Sequence, residues 1–157
     1  MSENKYIYIP LIGVPLLFFL LISLIWRFGG KEKEKNDAML KNDIVFSGEI
    51  TKLSVSGNHA FGIIQLKITS KSIDTFQPFY DTDKFFPYSI KDSIAEIYNH
   101  IPLSIKKGYK VVLNSSNRTI SFFKENKRLY EWEIFMITQE DDIKFIKENT
   151  NMNMVPE

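Results

Sequence analysis

Ala60-Phe61-Gly62-Ile63-Ile64-Gln65-Leu66-Lys67-Ile68-Thr69 sets Ile64, Leu66 and Ile68 against Gln65, Lys67 and Thr69. Successive side chains of a strand point to opposite faces, so this alternation predicts a strand with one apolar and one wet face. Just upstream, Ser56-Gly57-Asn58 reads as a turn, and Ile44 to Val55 as the strand that precedes it. Ile44, Phe46 and Ile50 share a face there, whereas Leu53 and Val55 have changed parity. Gly48 marks a bend or bulge, and the change of parity predicts a slip in register.

Downstream, Ser89 is expected to open a short helix, with its hydroxyl as cap and Asp92 as the acid of a capping box. Ile90, Ile94, Ile97 and Ile101 have helical spacing, and Pro102 ends the run. Three strands then follow, Tyr109 to Leu113, Thr119 to Lys124 and Leu129 to Ile137, joined by tight connections into a meander. Gln139 to Lys147 reads as a short terminal helix. The order of two long strands, an irregular segment, a helix and further strands is that of a small OB-like barrel.

Near the amino terminus, Tyr6 to Trp26 reads YIYIPLIGVPLLFFLLISLIW without a charge. As a helix it would extend about 30 Å, the hydrocarbon thickness of a bilayer, with Tyr6, Tyr8 and Trp26 at headgroup level. Arg27-Phe28-Gly29-Gly30 lacks the small residues of a signal cleavage site, so an uncleaved signal-anchor is expected. The fold class expected is thus an N-terminal transmembrane helix plus a small mainly-β (α+β) domain, an OB-like curved sheet or barrel with one short helix. The expected divisions are a short tail (1–5), the transmembrane helix (6–26), a charged linker (27–42), a β-rich soluble domain (43–148) and a disordered tail (149–157). Localisation follows as single-pass membrane. The soluble domain is expected on the periplasmic or extracytoplasmic side, because small single-anchor proteins commonly export the following domain, although Arg27, Lys31, Lys33, Lys35 and Lys41 after the span count toward the cytoplasmic side.

Two stretches, Phe46-Ser47-Gly48-Glu49-Ile50 and Ile105-Lys106-Lys107-Gly108-Tyr109-Lys110-Val111-Val112-Leu113-Asn114, are similar to segments of uncharacterised small bacterial single-pass membrane proteins with a β-rich domain. The resemblance implies an amino-terminal anchor and a β domain, and no activity.

Two surfaces stand out as contact candidates. Phe76, Phe79, Tyr80, Phe85, Phe86 and Tyr88 crowd one proline-broken segment. Such rings either fill the mouth of a barrel or anchor a partner, including a second copy of the chain. Lys106, Lys107, Lys110, Lys124 and Arg128 belong to a stretch whose sole acid is Glu125, and with nearby aromatics they would suit anionic headgroups. Glu131 and Glu133 could instead pair with them across strands. A net charge of +1 for the whole chain argues against nucleic acid as the partner.

Catalytic signatures are missing. The chain has no cysteine, which excludes thiolate chemistry and disulfides. It has no H-E-x-x-H, G-x-S-x-G or glycine-rich phosphate loop. His59 and His100 are the only histidines, Asp81 and Asp83 fall short of a calcium-loop pattern, and neither metal nor cofactor is expected. The function expected is a membrane-anchored, non-enzymatic binding or scaffolding module, held to the lipid bilayer through residues 6–26 and open to a protein partner or self-association. The alternatives are a basic OB-like module for anionic lipid or nucleic acid, and a hydrolase with an unmarked active site.

Overall fold

The computed structural model describes residues 8–77 and 83–152, and within the first helix the side chains of 14–23 and 30–40. The chain divides into two units, Met1–Asn36 and Asp37–Glu157. Helix α1 runs Tyr8–Leu40 with Pro15 inside it. Among the described residues no helix is long and apolar enough to cross a membrane. From Gly30 onward the helix carries Lys31, Glu32, Lys33, Glu34 and Lys35. The single-pass transmembrane helix expected at residues 6–26, its signal-anchor role and the membrane localisation drawn from it are therefore not supported.

The second unit is built on one antiparallel sheet of seven strands: β1 (Val45–Val55), β2 (Phe61–Lys71), β3 (Tyr88–Lys91), β4 (Ile94–His100), β5 (Lys110–Asn114), β6 (Thr119–Lys124) and β7 (Lys127–Glu133). Their order is β3-β4-β2-β1-β5-β6-β7. This corrects the OB-like expectation: the long central hairpin β1-β2 carries the β3-β4 hairpin on one flank and the β5-β6-β7 meander on the other, and the sheet has two edge strands, β3 and β7. β1 breaks register with β2 after Ser47 and again after Ile50, the bulge at Gly48 and the later slip that parity predicted. A Cβ at Gly48 would lie 2.6 Å from the Lys67 carbonyl oxygen, so the close approach of β2 requires glycine there.

Ser89 to Ile101 is not a helix. It forms the β3-β4 hairpin, with Asp92 in the left-handed region at the turn (φ 55°). The Ser89 hydroxyl caps nothing and donates instead to the Phe76 carbonyl (3.2 Å). Ile90, Ala95 and Ile97 face the main core with Phe46, Leu66, Leu113, Ile120 and Phe122. The opposite face of β2 and β4 is covered too. There Phe61, Ile63 and Tyr98 pack with Phe85, Ile137 and the Ile143 and Ile146 side chains of α2 (Glu140–Asn149). The last strand is shorter than its composition suggests, ending at Glu133. Ile137 instead forms an isolated bridge with Phe85.

Asn149 onward was expected to be disordered, yet residues 150–152 are held to the sheet. Glu96, with no exposed surface, accepts hydrogen bonds from the Thr150 hydroxyl (2.5 Å), the Asn151 backbone N–H (3.1 Å) and the Tyr98 hydroxyl (3.2 Å). Met152 is buried beside them. Residues 153–157 lie outside the described residues.

Candidate functional site: a cleft beside the open edge

β4 and β2 are paired with Phe61 opposite His100. That register sets the β1-β2 turn, His59-Ala60, against the end of β4, where the Ile101 N–H donates to the Ala60 carbonyl (2.9 Å). Both turn residues have positive φ, 45° at His59 and 59° at Ala60, a conformation that costs L-residues other than Asn and Asp about 1–2 kcal/mol. On the far side, Asn99, almost fully buried, donates through Nδ2 to the Glu133 carbonyl (3.2 Å) and accepts the His100 N–H through Oδ1 (2.7 Å). Asn99 thereby ties the end of β4 to β7, from which four strands separate it in the sheet. The Ser104 and Tyr130 hydroxyls share a hydrogen bond of 2.9 Å.

Between these walls lies a cleft of about 750 Å³, lined by His59, Asn99 to Leu103, Glu131 to Glu133 and Phe135. His100 lies against Phe61 (ring centroids 5.9 Å apart, edge-on) and Phe135 (6.1 Å). Leu103 is 99% exposed and Phe135 43% exposed, so the rim offers apolar surface that nothing in the second unit covers. The acids are already engaged. Glu131 accepts from Arg128 Nη1 (2.6 Å) and the Ser121 hydroxyl (2.9 Å), and Glu133 pairs with Arg118 (2.5 Å), which also holds Asp37. The cleft can therefore hold an apolar or aromatic group between rings, with polar groups fixing its rim. Among the described residues no three His, Asp or Glu side chains converge as metal ligands.

The described members of the aromatic segment lie inward. Phe85 and Tyr88 have no exposed surface, Phe86 is buried, and Phe76 is partly buried against Phe86 and Tyr88 (5.2 Å to each ring). Phe79, Tyr80 and Asp81 lie outside the described residues, and Asp83 is exposed. Tyr88 donates to Asn42 Oδ1 (2.7 Å). Burial pushes its phenol up to about 12, and the bonds to Asn42 and Ser115 pull against that rise.

The basic residues gather at one end of the sheet. Pairing runs Glu49–Lys110–Phe123–Arg128 across β1, β5, β6 and β7. Lys124 and Lys127 flank the Glu125-Asn126 turn, and Lys106 and Lys107 lead into β5. All five expected residues are exposed. The compensation by Glu131 and Glu133 goes to Arg128 and Arg118 rather than to the lysines.

The sequence reading missed Leu103, Phe135 and the buried acid Glu96. Only the placement of an acid inside Ile94-Ala95-Glu96-Ile97-Tyr98 hinted at the last, and a helical reading turned that acid outward. Comparison with protein-family models, curated proteins and solved structures finds no match for the chain.

Proposed function

We propose that the second unit is a non-enzymatic binding module whose cleft between β4 and β7 takes an apolar side chain of a protein partner. The observation that carries this reading is the pairing of exposed Leu103 and Phe135 with an aromatic-lined hollow whose acids are already committed to arginines. An exposed apolar rim around a concave site is the form that side-chain recognition takes. The rival reading, a hydrolase, draws on His59 and His100 lining the same cleft.

Selection of displayed random peptides against the full chain tests the proposal. Enriched peptides should share a bulky apolar residue, perturb the amide resonances of His100 and Phe135, and lose binding to Leu103→Asp. Failure to enrich any peptide, or perturbations confined to another face, would overturn it. A panel of ester, amide and phosphate substrates tests the rival: turnover abolished by His100→Ala would establish catalysis in place of binding.

A second reading rests on the basic end of the sheet. Lys106, Lys107, Lys110 and Lys124 form no ion pair among the described residues, and Phe123 stands in their midst. That arrangement favours a polyanionic ligand.

A further inference from the structure

We propose that two copies of this chain associate by antiparallel pairing of their β7 strands about a two-fold axis at Tyr130. The two edges of the sheet differ in how much backbone they leave unused. β3, one edge of the sheet, is covered where Phe76 exchanges hydrogen bonds with Ile90 (2.8 and 2.7 Å). β7, the other edge, has β6 on one side and, among the described residues, no strand on the other.

Which β7 groups point outward follows from the ladder. The Ile134 N–H donates to the Arg118 carbonyl (2.9 Å), and hydrogen-bonded pairs alternate along an antiparallel ladder. Trp132 and Tyr130, opposite Ile120 and Phe122, therefore bond toward β6. Register breaks between Phe122 and Phe123, leaving Leu129 without a partner. Beyond that bulge, Lys127 bonds inward and Arg128 outward. The outward set is Arg128, Glu131 and Glu133, and the Glu133 carbonyl is already taken by Asn99. Arg128 and Glu131 are left; they pair with each other within the chain (2.6 Å), yet both side chains are well exposed, so each can also reach a second copy.

The strand's charges then select the occupant. Lys127 and Arg128 stand at its start, Glu131 and Glu133 at its end. Counted past the bulged Leu129, a two-fold at Tyr130 sets Arg128 opposite Glu131 of the second copy, twice, in the hydrogen-bonded positions. It also sets Lys127 opposite Trp132 of the second copy, a cation over an indole. Parallel addition would stack like charges instead. Charged side chains ordinarily protect an edge strand from pairing; here the two signs are arranged to be self-complementary, as an isologous interface requires. The second copy's strand lies along the edge whose Glu131 to Glu133 also wall the cleft, so dimerisation and peptide capture compete.

Sedimentation velocity of the full chain and of charge-swapped variants tests the pairing. Wild type should show a concentration-dependent dimer. Arg128→Glu and Glu131→Arg should each weaken it about ten-fold or more, because each sets like charges opposite one another. An equimolar mixture of the two variants should restore the dimer, since every cross-pair is again opposite in sign. Circular dichroism confirms that both variants fold, as expected for exposed positions. A wild type monomeric at all concentrations, single variants with unchanged mass, or a mixture that stays apart would each overturn the proposal.

Discussion

Phe85 and Ile137 exchange a reciprocal pair of backbone hydrogen bonds, Phe85 N–H to Ile137 carbonyl at 2.8 Å and Ile137 N–H to Phe85 carbonyl at 2.9 Å. One residue precedes β3 and the other follows β7, so this bridge joins the flanks of the two edge strands. The sheet's main core thus has a boundary at which Phe85, Tyr98 and α2 form a second, smaller core.

Tyr88 makes stability fall with alkaline pH. Its folded pKa, about 12, lies above the unfolded value of 10, so between those values the folded chain keeps a proton that the unfolded chain loses. The contribution is fully present below about pH 10 and is lost as pH rises toward 12. Urea denaturation at pH 8 and at pH 11 should show this loss, and Tyr88→Phe should reduce the difference between the two.

Glu96→Ala removes the acceptor for Thr150, Asn151 and Tyr98. Leaving buried donors without partners costs about 1–3 kcal/mol. The midpoint in urea should drop accordingly, and hydrogen exchange at the Asn151 amide should accelerate. An unchanged Asn151 exchange rate would mean that residues 150–152 are held by something else.

Ala60→Gly should stabilise the fold by about 0.5–1 kcal/mol, because φ at residue 60 is 59° and glycine meets no steric penalty there. Thermal denaturation measures it. By contrast Gly62→Ala should destabilise by about 1–3 kcal/mol, because the added Cβ would run into the Ser54 carbonyl and the Ile101 side chain.

Lys110→Glu combined with Lys124→Glu should lower the salt concentration at which the protein leaves a heparin column, with no change in denaturation midpoint, since both side chains are exposed. Elution at the same salt as wild type would remove the polyanion reading.

Much of the sheet was legible because it is wet on one side. Ile64, Leu66 and Ile68 alternate with polar residues, and strands β1, β2, β5 and β6 follow from such patterns nearly to the residue. β4 was hidden for the opposite reason. Ala95, Glu96, Ile97, Tyr98 and Asn99 are all buried, because one face meets the main core and the other meets the core beneath α2. A strand covered on both faces loses its period of two, and the isoleucines that remained fitted a helix. The basic end of the sheet was visible as a charge count. The cleft was not, since His59, Leu103 and Phe135 meet only through the β2-β4 register and the Asn99–Glu133 tie.

The hold that Glu96 keeps on residues 150–152 also concerns the order in which the chain is made. Thr150 follows Glu96 by 54 positions, which at ~5–20 residues per second is a delay of about 3–10 s during synthesis. Throughout that interval the carboxylate lacks its shortest hydrogen bond and needs water. β4 therefore cannot be sealed on its second face until Thr150 and Asn151 have been made. The dehydration of that face is timed by those two residues, and a ribosome that stalls before Thr150 leaves a sheet with a wet acid at its centre.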